Sequence, residues 1–448
     1  MQEGTDAGRA QAGGARRTVR DYMGRGPWFT VGVLTAANSF AFLDRQVLGL
    51  LIEPVRADLG LTDTQISILI GFAFAIFYSV FGIPIGRLVD ARSRRLIIAV
   101  GIAVWSLATA ACGLARSFWT LFLGRIGVGA GEATLGPAAM SMISDLFPPE
   151  RRGTAIAVFI TGAAIGSGFA TVLAATVFAV LEDFAEIALP VVGTVRPWQV
   201  VFFVVGLPGL LVAILALAMR EPARGDAVGT AGIPLHEVWA HVREHAVLIT
   251  CTLIGFSILA IKSYGIAAWV PTFFVRTHGW SVGQAGIYFG LTLAITATIG
   301  AIVGGRLSDW LAGRGMADAK IQIAILANLL TLIPIVAYPL VANDMAAIVL
   351  VAAYYLFAAA TTPMGAAIVQ EITPPRMRGQ IYAVFLFTST LVGMGFGPLS
   401  IALITDNVFG DPADLRYSLA MVPLVTVSLG LAFLLAARSR YRALPRVY

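Results

Sequence analysis

The sequence predicts an all-α membrane protein, with twelve transmembrane helices arranged as two pseudo-symmetric six-helix bundles. Three observations predict it. The chain is 58% hydrophobic and only 12% charged over 448 residues, against roughly 45–50% and 25% in soluble domains. Its apolar residues gather into stretches of about 20–30 residues, enough to cross a ~30 Å hydrocarbon core. Two unrelated loop motifs also occur twice, in the same order, once in each half. The strands of a membrane β-barrel would instead show as segments of about 10 residues with alternating polarity. This chain has no such pattern.

Residues 1–27 are polar, rich in Gly, Ala and Arg, and lack the apolar core of a signal peptide, so they read as a disordered cytoplasmic tail. The N-terminal bundle, residues 28–219, takes spans near 28–55 (helix 1), 64–86 (helix 2), 96–115 (helix 3), 118–146 (helix 4), 153–181 (helix 5) and 198–219 (helix 6). Residues 220–245 form a polar connector with an amphipathic helix. The C-terminal bundle, residues 246–437, takes 246–275 (helix 7), 281–305 (helix 8), 319–340 (helix 9), 345–372 (helix 10), 380–405 (helix 11) and 415–437 (helix 12). A second cytoplasmic tail covers residues 438–448.

The net charge of +6 is sorted by side of the membrane rather than gathered as a patch for nucleic acid. With the N-terminus inside, Lys and Arg collect in the inner loops. Only Arg56, Arg116, Arg196, Arg276 and Arg416 fall in outer loops, which instead hold Glu182, Asp183, Glu186, Asp406, Asp411 and Asp414. That bias puts both termini in the cytoplasm of a multi-pass inner-membrane protein, bacterial on this reading. The only cysteines, Cys112 and Cys251, lie inside spans and imply neither a disulfide framework nor a metal site.

The repeat is specific. Gly86-Arg-Leu-Val-Asp90, closing helix 2, returns 219 residues later as Gly305-Arg-Leu-Ser-Asp309, closing helix 8. Asp145-Leu-Phe-Pro-Pro-Glu-Arg-Arg-Gly153, between helices 4 and 5, returns after 226 residues as Glu371-Ile-Thr-Pro-Pro-Arg-Met-Arg-Gly379, between helices 10 and 11. Repeated halves are a secondary-transporter architecture, with the binding site near the midplane between them.

The stretch GRLVDARSRR, from Gly86 to Arg95, resembles the loop signature of the major facilitator superfamily, and the twelve spans and central connector agree with its fold. Within that superfamily the chain is similar to the Spinster-like branch. The residues behind this likeness are Asp44-Arg45, Gly129-Ala-Gly-Glu-Ala133, Ser144-Asp-Leu-Phe147 and Gly166-Ser-Gly168. Related anion–proton symporters share parts of the pattern. The resemblance implies alternating access and, from the Spinster-like branch, amphipathic lipid substrates. It also implies that Asp90 docks on helix 11 and Asp309 on helix 5. A carboxylate is favoured there because a helix N-terminus carries about +0.5 of a charge. Arg92, Arg94 and Arg95 would pair with Asp145 or neighbouring acids, and Arg152 and Arg378 complete the gating loops. The bland alternative is that these arginines only mark topology.

The chemistry is expected inside the spans. An ionisable group at the bilayer centre costs about 2.5–3.5 kcal/mol on insertion scales, so Asp44, Arg45, Arg125, Glu132 and Lys262 face protein or a polar pathway. Asp44 and Glu132 fall near mid-depth, and Arg125 stands two helical turns before Glu132. Low dielectric favours a protonated carboxyl and a nearby arginine favours the charged form, so an acid held between them can exchange a proton. The expected switch has deprotonated Asp44 and Glu132 paired with Arg45 or Arg125, and an arginine freed on protonation. A static ion pair that fixes packing is the alternative, and for Arg125 a structural role weighs at least equally. Neighbours on a helix point about 100° apart, so Asp44 and Arg45 should not pair with each other. Lys262 and Tyr264 on helix 7, with Tyr354 and Tyr355 on helix 10, are candidates for the substrate wall of the second half. A snorkelling or carbonyl-bonded lysine and plain aromatic packing compete with that reading.

Other classes fit poorly. Gly127-Val-Gly-Ala-Gly131 has no βαβ unit around it and is not a dinucleotide site. His241-Val-Arg-Glu-His245 matches the H-x-x-E-H pattern of a metallohydrolase, but no further ligand stands convincingly beside it, so no metal is assigned. No phosphate-binding loop, clustered catalytic set or long sensor domain is present. The expectation is a monomeric, proton-coupled transporter of an amphipathic or anionic small molecule, working in contact with membrane lipid. It needs no cofactor beyond the proton and has no enzyme activity. A proton-independent facilitator and a non-transporting receptor are the alternatives.

Overall fold

The computed structural model describes residues 25–190, 192–222, 235–316, 318–374 and 376–443. Most of the expected N-terminal tail and the last five residues lie outside that set. Among the described residues, ten helices are long and apolar enough to cross a membrane. Helices 1 and 4, which hold Asp44, Arg45, Arg125 and Glu132, complete the twelve. Helix 1 runs Arg25–Leu50 and continues as Ile52–Leu59. Helix 2 starts at Asp63–Ser67, widens into a π turn at Ile68–Phe72 and continues as Ala73–Ala91. Helix 3 is Arg94–Cys112, and helix 4 is broken into Phe118–Glu132 and Leu135–Leu146. Helix 5 is Pro149–Leu181, and helix 6 is Pro197–Gly206 followed by Gly209–Leu217.

The connector helix is Leu235–Glu244. Helices 7 to 10 are Ala246–His278, Val282–Gly313, Ala319–Ala337 and Asp344–Glu371. Helix 11 is Arg378–Ile404 with a π turn at Thr405–Phe409, and helix 12 is Leu415–Arg442. Local chemistry sets several of these ends. Thr62 caps helix 2 in a reciprocal box with Gln65, and Gly60 and Gly279 close the preceding helices at positive φ.

The loop between helices 5 and 6 holds a short hairpin, Ile187–Leu189 paired antiparallel with Gly193–Val195. One expectation needs correction. The second tail does not begin at residue 438, because helix 12 continues and Arg438 and Arg442 both bond Asp318 Oδ2, at 2.8 and 2.6 Å. Those charged bonds hold residues 438–442, little more than one further turn of helix, against the start of helix 9.

Three apolar cores explain how the halves are joined. One lies within the N-terminal half, joined by Met394, and one lies wholly within the C-terminal half. The third is shared, packing Leu43–Val55 residues and Ala174, Ala175 and Phe178 against Trp269, Phe273, Phe274 and Phe289. It lies at the end away from the repeated loop motifs, called here the outer end. The glycines report the same asymmetry. Near the outer end, a Cβ on Gly168 would lie 2.6 Å from Ala294 Cβ, and one on Gly283 would lie 2.5 Å from Ala179 Cβ. Toward the inner end of the same helices, Gly153 and Gly305 have nothing within 4 Å, and neither do Gly82, Gly86 and Gly379. The halves are joined at the outer end and stand apart at the inner end.

Candidate functional site

The buried charges converge where helices 1, 2 and 4 meet. Gly129 lets helix 2 close on helix 4, since a Cβ there would stand 3.0 Å from the Phe74 carbonyl oxygen. Gly131 does the same toward helix 3, with the Trp105 nitrogen 2.7 Å from the site of its missing Cβ. Helix 4 breaks directly after Glu132, and the Thr134 hydroxyl donates to the Gly131 carbonyl. The break leaves Glu132 at the last turn of the first segment, buried and aimed at helix 1.

Arg45 meets it there. Its Nε and Nη2 both reach Glu132 Oε2, at 2.7 and 2.6 Å. The glutamate side chain is 0% exposed and the arginine 14%, so the pair sits at the edge of accessible space. The guanidinium carbon lies 4.8 Å from the ring centroids of Phe42 and Phe74 and 5.2 Å from that of Tyr78. Each such contact contributes about 0.5–2 kcal/mol as the cation is desolvated. Phe74 and Tyr78 stand one turn apart on helix 2 and stack on each other.

Asp44 is also buried, and its Oδ1 has no hydrogen-bond partner. Among the described residues no guanidinium lies within ion-pair distance of its carboxylate. The expected Asp44–Arg125 pairing is therefore not made. Arg125 instead donates Nε to the Leu69 carbonyl at 3.2 Å and Nη1 to the main-chain carbonyl of Asp44 at 3.3 Å. Leu69 belongs to the π turn of helix 2, where the widened ladder leaves a carbonyl open to a side-chain donor. Arg125 thus braces helices 2 and 1 and does not contact the Glu132 carboxylate.

The second half departs from expectation more sharply. Lys262 does not stand on a substrate wall; its Nζ donates to Asn328 Oδ1 at 2.6 Å and Thr331 Oγ1 at 3.2 Å on helix 9. Neutral oxygens inside the C-terminal bundle satisfy the ammonium and keep it 1% exposed. Tyr354 lies under that lysine, and Tyr354 and Tyr355 belong to the shared outer core rather than to an open wall. Tyr264, partly buried, does reach across and packs with the N-terminal cluster that contains Tyr78.

At the inner end Arg94 pairs with Asp145 and also with Glu221, whose Oε1 accepts from its Nε at 3.0 Å. Burial pushes the Glu221 carboxyl up, but hydrogen bonds from the Arg95 amide, Ser93 and Arg94 outweigh it and hold it low. Arg95 therefore reaches Glu221 through its main chain and does not pair with Asp145. Arg152 donates to the Ser144 carbonyl, and its repeat partner Arg378 donates to the Gln370 carbonyl, at 2.7 and 2.9 Å. Asp309 is exposed and makes no bond to helix 5 among the described residues, because the inner ends stand apart in this conformation. The expected docking of Asp90 lies outside the described side chains.

Sequence reasoning missed the contacts that join the halves at the outer end. Arg276 of helix 7 binds Glu53 at 2.6 Å and both oxygens of Asp63, at 2.6 and 2.8 Å. Asp406 accepts from the Thr64 amide and hydroxyl at 2.8 and 2.6 Å. The available signal was Arg276 itself, a cation on the wrong side of a positive-inside chain. Phe42, Phe74 and Tyr78 were missed because aromatic residues in an apolar helix look like packing.

Comparison with known proteins agrees with this architecture. The model of the Major Facilitator Superfamily matches residues 34–398. An MFS-type efflux pump of Mycolicibacterium smegmatis is 28% identical over 428 residues, covering 93% of this chain and 94% of its own. A probable L-galactonate transporter of Escherichia coli is 25% identical, covering 89% and 86%. Among solved structures, a bacterial homolog of the human lysosomal transporter Spinster, inward-facing and unoccupied, is 28% identical. It superposes with a TM-score of 0.72 over 93% of this chain and 96% of that one.

Proposed function

This chain belongs to the major facilitator superfamily as a Spinster-like transporter, and we propose that it couples proton movement to the passage of an amphipathic or anionic small molecule. The observation that carries this reading is the Arg45–Glu132 pair at the edge of accessible space, with the unpaired carboxylate oxygen of Asp44 beside it. Removing one partner of a buried ion pair costs about 3–5 kcal/mol. Protonating Glu132 therefore releases Arg45 with enough energy to move a conformational equilibrium, and Asp44 is the adjacent acid that passes or holds the proton. The proton step in this scheme draws on no metal or organic cofactor.

Arg45 is the anchor for an anionic headgroup in this scheme, with Phe42, Phe74, Tyr78 and Tyr264 offering apolar surface to the remainder. Lysolipid-like amphiphiles suit that combination, and membrane lipid supplies them. The charge bias of the loops supports an orientation with the open inner end and both termini facing the cytoplasm, in this reading that of a bacterial cell. A monomer suffices, since each half supplies one side of the path. Organic-acid anions are the second reading, favoured by the partly exposed guanidinium and by the named activity of the L-galactonate relative. Solid-supported membrane electrophysiology on proteoliposomes, over lysolipids and organic-acid anions with and without a pH gradient, separates the two. A substrate-dependent current that vanishes without the gradient supports proton coupling. A current indifferent to pH for every active substrate would leave a facilitator.

A further inference from the structure

We propose that His241, Glu244 and His245 form a site for a divalent transition-metal ion of the zinc type, at the junction of the connector helix and helix 7. Sequence reasoning set the H-x-x-E-H pattern aside because no further ligand stood beside it. The fold supplies something different. Among the described residues, these three side chains bring their ligand atoms within 4.8 Å of one another. The two histidines are four positions apart across the helix junction, and their rings lie 4.6 Å apart.

The hydrogen bonds fix which ring nitrogens are free. His241 Nε2 lies 3.2 Å from the Ile372 carbonyl, which only accepts, so that nitrogen carries the hydrogen and Nδ1 keeps its lone pair. His245 Nδ1 lies 3.4 Å from the His241 carbonyl, which leaves Nε2 as the free acceptor. A histidine that donates one ring N–H to a carbonyl while offering the other nitrogen is arranged as metal-binding histidines are. The exposed Glu244 carboxylate adds an oxygen. Two imidazole nitrogens, one carboxylate and an open position for water suit Zn²⁺, Co²⁺ or Ni²⁺, whereas Mg²⁺ and Ca²⁺ prefer oxygen. Tetrahedral Zn–ligand distances of about 2 Å require donors roughly 3.3 Å apart, so binding draws the ligand atoms in from within 4.8 Å by small rotations of the exposed Glu244 and the two half-buried imidazoles.

An ion there has a structural consequence. The His241–Ile372 bond already ties the connector to the end of helix 10, beside the repeated loop Glu371–Gly379. Metal bound to His241 and His245 braces the connector on the C-terminal half at the end where the two halves stand apart.

The test uses full-length protein with no histidine tag. Titration calorimetry with Zn²⁺ and the visible absorption of Co²⁺ measure stoichiometry and ligand field. One ion per chain, lost in the His241→Ala/His245→Ala double variant and kept in His236→Ala, is the expected result. Size-exclusion profiles confirm that the variants are folded. Absence of binding below millimolar zinc, or equal binding by the double variant, would overturn the proposal.

Discussion

Gly71 of helix 2 meets the Met394 carbonyl of helix 11 so closely that a Cβ on Gly71 would lie 2.0 Å from that oxygen. Pro398, four residues on, has no N–H to offer the Met394 carbonyl, so helix 11 presents a bare oxygen where helix 2 presents a bare α-carbon. The contact crosses between the two halves, so it is expected to part when they separate at the outer end. Gly71→Ala is therefore expected to destabilise this conformation selectively, by about 1–3 kcal/mol as overpacking does. Distance measurements between spin labels on the outer ends of helices 5 and 8 should show those ends moving apart. Gly82→Ala, on the same helix with nothing within 4 Å, should leave the distance unchanged.

Arg276 holds the same end by charge. Its side chain is 7% exposed and its two acidic partners come from the opposite half. Arg276→Ala leaves Glu53 without its partner and Asp63 with Arg56 alone, and a loss of about 3 kcal/mol shifts an access equilibrium roughly a hundredfold. The outer-open population measured by spin-label distances should rise accordingly, and substrate flux should fall because the outer-closed state is no longer held.

Some of this was legible in the sequence and some was not, for physical reasons. Asp44, Arg45, Arg125 and Glu132 stood out because charge inside an apolar span is costly. The twelve spans and the repeat followed from hydropathy and spacing alone. Partner choice was less legible. Lys262 was identifiable as buried, but the period of helix 7 does not reveal that Asn328 of helix 9 stands opposite. The carbonyl that receives Arg125 exists because helix 2 widens into a π turn at Leu69, and residues 68–72 carry no composition that marks one. The conformation itself, joined at one end only, is a property of two halves and is written in neither.

Lys262 provides a direct check on its reassignment. Lys262→Met keeps length and apolar bulk but removes the donor to Asn328 Oδ1. Stability in detergent should drop by about 1–3 kcal/mol, the penalty for one buried acceptor left unmade. The KM for substrate should stay within about twofold of wild type, a difference under 0.5 kcal/mol. A large KM rise with unchanged melting temperature would return Lys262 to the substrate path.

Asp318 gives a pH dependence of defined sign. Burial pushes its carboxyl up, but hydrogen bonds from Arg438, Gln322 and Arg442 outweigh that and hold it at about 2. The unfolded value is near 3.9, so the stabilisation is complete above roughly pH 4 and is lost as pH falls through about 2. Asp318→Asn should therefore lower the melting temperature by a constant amount between pH 5 and pH 7. The gap should narrow only as the pH is taken below 4.

Glu132 separates coupling from folding. Glu132→Gln preserves a carbonyl oxygen for Arg45 but cannot gain or lose a proton, so Arg45 keeps an acceptor and loses its switchable counter-charge. Uptake driven by a pH gradient should fall at least about tenfold, or 1.4 kcal/mol in the rate. Substrate exchange at equal pH on both sides should persist, because it needs no net proton transfer. Glu132→Ala, in contrast, leaves Arg45 without its carboxylate among Phe42, Phe74 and Tyr78 and should lower stability by about 3–5 kcal/mol. Asp44→Asn removes a carboxylate that holds no guanidinium, so it should impair pH-driven uptake without a comparable loss of stability. If Glu132→Gln drives uptake as wild type does, Glu132 has only a packing role and the proton must be carried by Asp44 alone.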